Sequence, residues 1–204
     1  MRSRDPILNH DRREAIIQAA GRCFVRDGFS ATSMKSICAE VGMSPGTLYH
    51  YFASKSDIVA GIIRREEAVV ADLFGELDKS GDVITGLFMV IDLIAQGVTD
   101  EELVLHAEIA AEILRNPSLR EQARRAEAAA SQKLAVRLEQ AQAAGAVDAG
   151  LDSEAAAAVI NALIDGLIWR ASLHDRAAIV SLLPNLKQAI ARMLIDPEAA
   201  DRCA

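Results

Sequence analysis

Aromatic residues are scarce, only 4% of this 204-residue chain, and no stretch alternates apolar with polar residues over a useful length. A half-buried sheet needs that alternation, so a strand-rich fold is excluded. No run of about eighteen apolar residues exists of the kind that spans a bilayer. The opening Met-Arg-Ser-Arg-Asp also lacks the apolar segment of a secretory signal, so a soluble, cytoplasmic protein with no membrane partner is expected. The three cysteines, Cys23, Cys38 and Cys203, lack metal-ligand spacing, and Cys23 and Cys38 fall at apolar helical positions, as buried thiols do. His10, His50, His106 and His174 are scattered, and neither a Gly-rich phosphate loop nor a recognisable nucleophile arrangement occurs. No catalytic residue, metal site or cofactor is therefore expected. An all-α enzyme or ligand carrier remains open only through residues that converge in space.

What the chain has in abundance is alanine, leucine and isoleucine, within a hydrophobic fraction of 51%. That palette favours helices, so the expected class is all-α. The formal charge is −7, which taken alone argues against nucleic acid, since DNA binding depends on neutralising phosphates with Lys and Arg. The distribution reverses the inference: residues 1 to 65 hold ten Lys and Arg against six Asp and Glu, a net of +4, and the remainder carries −11.

Apolar spacing predicts a first helix over about 10–27, stopped by Gly28. A short second helix over about 33–41 is closed by Gly42. A third over about 45–52 opens with Ser44 as N-cap and Pro45 in the first turn, where its missing N–H is no loss. Ser54 caps a long fourth helix, with Asp57 near the capping-box position. Further helices are expected at about 82–96, 100–115, 118–144, 153–174 and, after a break near Pro184, 185–195, with turns at Asn116-Pro117 and Gly145 to Gly150.

Two short helices joined by a tight turn at Gly42 form the layout in which one helix braces across the DNA backbone while the next enters the major groove. The same layout also occurs as a plain packed corner. The side chains of the third helix favour the first reading. Leu48 and Phe52, four apart, can anchor it inward, while Thr47, Tyr49, His50 and Tyr51 supply hydroxyl, imidazole and aromatic edges on other faces. Gly46 keeps the helix start slim, and Ser33, Lys35 and Lys55 stand at the starts of the second and fourth helices, natural phosphate positions.

The run Thr32-Ser33-Met34-Lys35-Ser36-Ile37-Cys38-Ala39-Glu40-Val41-Gly42-Met43-Ser44-Pro45-Gly46-Thr47-Leu48-Tyr49-His50-Tyr51-Phe52-Ala53-Ser54-Lys55, with Phe24, Gly28 and Ala31 before it, closely resembles the TetR-family signature over about the first sixty residues. The resemblance implies that Ser33 and Lys35 touch phosphates, that Pro45, Gly46, Thr47, Tyr49, His50 and Tyr51, entered through Ser44, present the recognition surface, and that Lys55 clamps a phosphate beside it. Cys38 stands where that family favours a small residue. The implied organisation is a DNA-binding domain over 1–55 and a helical effector-binding and dimerisation domain over 56–204. Its expected partners are double-stranded operator DNA, a small apolar or amphipathic effector, and a second copy of the chain.

Beyond about residue 65 the pattern has to speak for itself. Helix 153–174 is apolar round most of its circumference, which requires burial on two sides. A protomer core and a two-fold partner meet that need, as does a central helix of a monomer. Dimer-interface candidates are Ile160, Ile164, Leu167 and Ile168. The resemblance favours the dimer, since TetR-like proteins pair through their two C-terminal helices. On helix 100–115 the glutamates 101, 108 and 112 share one face and are expected to be solvated, while Leu103, His106, Ala110, Ile113 and Leu114 share the other. His106 is either a satisfied core histidine or, with Ala110 and Ile113, part of an apolar effector pocket. The remaining reading is a DNA-binding protein without any small-molecule effector.

Overall fold

The computed structural model describes residues 6–195, and among these the chain forms nine α-helices and no strand. They are α1 (Pro6–Asp27), α2 (Met34–Val41), α3 (Pro45–Tyr51), α4 (Lys55–Lys79), α5 (Val83–Gly97), α6 (Asp100–Arg115), α7 (Pro117–Ala143), α8 (Ser153–Ala171) and α9 (Arg176–Leu194). Cys203 and the opening Met-Arg-Ser-Arg-Asp lie outside the described residues. No single described helix is long and apolar enough to cross a membrane.

The described residues pack as two compact units, the first running to Glu66 and taking in Val104–Arg125, the second holding Glu67–Leu103 and the described residues from Ala126 onward. The first compact unit thus runs past residue 55 to Glu66. The first turns of α4 bury Ile58, Val59, Ile62 and Ile63, and a Cβ on Gly61 would lie 3.0 Å from Ile17 Cδ1 and 3.2 Å from Phe52 Cε1. Such close packing makes the start of α4 part of the first unit's core. Segments of α6 and α7 complete that unit. Gly21 of α1 approaches Leu105 of α6, where a Cβ would lie 3.4 Å from Leu105 Cδ2, and Gln122 of α7 donates to the Ala60 carbonyl at 2.9 Å. Cys23 and Cys38 are buried free thiols here, and burial pushes the Cys23 thiol up in pKa, with Arg26 acting the other way.

The second unit is built around Leu77, Leu87, Ile91, Leu138, Ile160, Leu167, Ile179, Leu183, Ile190 and Leu194. Lys187 of α9 donates to Asp92 of α5 at 2.6 Å. Gln142 holds the α7–α8 turn by donating to the carbonyls of Asp148, Ala149 and Leu151. The expected break at Pro184 does not occur, for α9 runs through it. Proline in a helix interior costs about 3 kcal/mol, but Ile179, Leu183, Leu186, Ile190 and Leu194 are all buried on one face of α9, and each contributes about 1.5–3 kcal/mol. Pro184 itself is exposed, so the carbonyl it leaves unbonded lies on the solvent-facing side.

Gly86 of α5 is a close-contact position. A Cβ there would stand 2.6 Å from Ser80 Oγ and 3.0 Å from the Leu77 carbonyl oxygen, and Ser80 is itself held by donating to the Leu77 and Asp82 carbonyls. Gly86→Ala is expected to lower unfolding stability by about 1–3 kcal/mol despite alanine's better helix propensity. Equal urea midpoints for the variant and the parent protein would contradict this.

Candidate nucleic-acid interface

Local hydrogen bonding fixes the helix–turn–helix segment. Ser33 caps α2 by accepting from the Ser36 amide, and Ser36 Oγ accepts from the Ser33 amide at 2.9 Å, a reciprocal box in which serine takes the place of the usual glutamate. Gly42 ends α2 in the left-handed region at φ 71°, where a side chain would be strained. Two residues later Ser44 caps α3, accepting from the Thr47 amide at 3.2 Å. Phe52 closes α3 by donating its amide to the Leu48 carbonyl.

Beneath α3, Leu48 and Phe52 are buried, and Arg13 of α1 both stacks on the Phe52 ring at 4.4 Å and donates to the Tyr51 carbonyl at 3.1 Å. This support leaves Ser44, Pro45, Gly46, Thr47, Tyr49 and His50 all exposed, with Tyr51 half-buried and edge-on to His50 at 5.4 Å between ring centroids. Tyr49 is 53% exposed, a large value for an aromatic side chain on a seven-residue helix. The sequence-predicted recognition residues thus share one open helix, whose upper surface offers hydroxyl, imidazole and phenol groups.

The predicted phosphate contacts divide. Ser33 and Lys35 are exposed at the start of α2. Lys55, expected to clamp a phosphate, is half-buried and turned to the protein: its ammonium donates at 2.5 Å to the carbonyls of Phe29 and Thr32 and lies 4.3 Å from the centre of the Phe29 ring. Its charge therefore serves first to hold the α1–α2 turn. Part of the basic head is likewise occupied, since Arg22 and Arg26 both pair with Glu40 at 2.8 and 3.1 Å. These two guanidinium groups hold the Glu40 carboxyl below the usual carboxylate range.

Sequence reasoning missed two contributors, Arg13 and Glu108. Glu108 is not simply solvated, because its Oε2 accepts from the Phe29 amide at 2.7 Å across 79 residues of sequence. His106 is exposed and so is not a core histidine, while Ala110 and Ile113 are half-buried. Desolvation of the nearby Glu66 carboxyl pushes its pKa up, with His106 and then Arg65 drawing it back. Two concavities lie elsewhere. One of about 280 Å³ is lined by Glu127, Ala128, Ser131, Gln132, Ala135 and Glu154, and one of about 340 Å³ by Ser118, Glu121, Gln122 and Arg125.

The dimer candidates also separate. Ile160 and Leu167 are 0% and 3% exposed within the protomer, and Ile164 packs partly buried against the same core. Ile160 and Leu167 are therefore core residues of the protomer. The open apolar side of α8 and the turn after it consists instead of Val159, Trp169 and Leu173, at 47%, 64% and 62% exposure, with Val180 of α9 at 47%.

A capped two-helix corner with an open second helix, followed by an all-helical body, is the layout of a helix–turn–helix regulator. Residues 16–62 match the model of bacterial regulatory proteins of the tetR family, and residues 88–195 match that of the BetI-type transcriptional repressor C-terminal domain. The chain belongs to the TetR family of transcriptional regulators. It is similar to the HTH-type transcriptional regulator UidR of Escherichia coli (strain K12), 27% identical over 89% of this chain and 92% of that protein. Among solved structures it resembles Salmonella enterica GusR, 31% identical, covering 93% of this chain and 97% of that one with a TM-score of 0.81. A transcriptional regulator from Saccharomonospora viridis in complex with choline shares the fold at 24% identity and a TM-score of 0.75, covering 92% and 99% of the two chains.

Proposed function

We propose that this protein is a repressor that binds operator DNA as a homodimer and is released by a small apolar or amphipathic effector. The observation that carries the DNA half is the open face of α3, where Thr47, Tyr49 and His50 stand exposed over the buried Leu48. Tyr49, His50, Thr47 and Tyr51 reach base edges and adjacent phosphates, with Ser44, Pro45 and Gly46 at the leading end of the helix. Ser33 and Lys35 meet the phosphate backbone. Lys55 keeps one ammonium proton beyond the two carbonyls it serves, and its main role is to hold the turn. An operator places such a protein in the cytoplasm.

The dimer half rests on the exposed apolar side of α8 and α9. Two copies joined there present two reading heads to a near-palindromic site. The effector half is supported by a fold relative solved with a small molecule, choline, and by His106, Ala110 and Ile113 offering a polar and apolar strip on α6. If effector binding lowers operator affinity by some factor, operator must lower effector affinity by the same factor.

The direct test is fluorescence anisotropy on DNA from beside the protein's own gene against scrambled DNA, across a salt series. Specific binding should exceed non-specific binding by about a thousandfold or more. Equal affinity for both DNAs, or no binding at low salt, would overturn the proposal. In the same titration Lys35→Ala should weaken both DNAs alike and flatten the salt slope by about one unit per protomer. A loss confined to the native fragment would instead make Lys35 a base reader.

A further inference from the structure

The backbone of Phe29, in the turn between α1 and α2, is held from two distant helices. Its N–H donates to Glu108 of α6 at 2.7 Å and its carbonyl accepts from Lys55 of α4 at 2.5 Å. The surrounding turn is just as constrained. Gly28 lies at φ 79°, its Cα facing the Glu108 carboxylate, and its carbonyl accepts from Thr32 Oγ1 at 2.8 Å, while the same hydroxyl reaches the Cys23 carbonyl at 3.1 Å. The Phe29 ring packs against Phe24 at 5.2 Å between centroids. One helical turn before Glu108, Leu105 sits over Gly21 of α1, so α6 meets α1 at one point and the turn that follows it at the next.

We propose that Glu108 is a positioning residue for operator recognition: by fixing the Phe29 peptide it sets the pose in which α2 and α3 meet DNA. This rests on the DNA-binding reading above. The argument is geometric. The Phe29 turn leads directly into Thr32 and the Ser33 cap of α2, and α2 carries α3 through only the Gly42 to Ser44 turn. A displacement of the Phe29 peptide therefore propagates along a short, capped path to Tyr49 and His50. The carboxylate is the acceptor that α6 contributes at this point, and without it a half-buried amide is left unpaired. Glu108 never touches DNA in this scheme.

The sign of the effect separates positioning from electrostatics. Removing a carboxylate from a DNA-binding unit should tighten binding to phosphates if charge alone matters. If Glu108 positions the turn, removal should weaken it. The experiment compares full-length parent protein, Glu108→Met, which keeps the side-chain length without an acceptor, and Glu108→Gln, which keeps an acceptor without the charge. Operator affinity is read by anisotropy on the native fragment, and amide exchange is read by mass spectrometry over residues 25–33.

The expected result is a loss of about tenfold for Glu108→Met with faster exchange in 25–33, and rescue to within about twofold by Glu108→Gln, with unchanged helical content in all three. Met binding as tightly as the parent or tighter overturns the proposal, as does Gln failing with Met. If the parent shows no preference for its own DNA, the regulator reading fails on that evidence, and unaltered exchange in Glu108→Met would separately overturn the latch.

Discussion

Tyr49→Ala is expected to remove the protein's preference for operator DNA and to leave its fold intact. Tyr49 is 53% exposed on α3, and the helix beneath is held without it by buried Leu48 and Phe52, by the Ser44 cap and by Arg13 on the Tyr51 carbonyl. Its truncation should thus change unfolding stability by no more than about 0.5 kcal/mol. A base-edge contact is worth about 1–3 kcal/mol per reading head, and a dimer on a near-palindrome loses it at both half-sites. The native fragment should therefore bind about thirtyfold more weakly or worse, while scrambled DNA is little affected. If both DNAs weaken together, Tyr49 contacts only phosphate. If neither changes, the recognition surface lies off α3.

The parts of this site that could be read from the chain are those fixed by neighbours within four residues. Ser33, Gly42, Ser44 and Pro45 announce where α2 and α3 begin and end, because a cap satisfies backbone groups two or three positions away and a left-handed turn needs glycine locally. The inward pair Leu48 and Phe52 follows from helical spacing alone. What could not be read depends on distant partners. Sequence does not place the Phe29 and Thr32 carbonyls beside Lys55, and the acceptor role that takes Glu108 out of plain solvent lies 79 residues away.

Pro184 misled for an energetic reason. A local penalty was set against a run of buried side chains on α9 whose combined burial outweighs it, and that burial is a tertiary property. The extent of the first compact unit is tertiary too, since nothing in α4 marks residue 66, and it is the packing of Gly61 against Ile17 and Phe52 that commits its first turns to that unit.

Helix α8 shows a different limit and carries the second large prediction. An all-round apolar helix says that two sides are covered but not which side faces which, so sequence alone allows Ile160 and Leu167 to face either a partner or the protomer core, and within the protomer both are buried. The two assignments have opposite consequences under mutation. Ile160→Ala deletes a fully buried side chain and should cost about 2–5 kcal/mol of unfolding stability at fixed protomer concentration, with no specific effect on pairing.

Trp169→Glu alters a side chain that is 64% exposed in the protomer, so the isolated fold should tolerate it. Placed against a two-fold partner, the same change removes a large aromatic contact and puts a charge into an apolar interface, a loss of 2 kcal/mol or more being roughly what such anchors carry. The variant should sediment as a monomer at micromolar concentration and, having lost the advantage of two linked heads, bind operator about a hundredfold more weakly or worse. A Trp169→Glu protein that remains dimeric with unchanged operator affinity would move the interface away from α8, and an Ile160→Ala protein that splits into stable monomers would restore the assignment that its burial argues against.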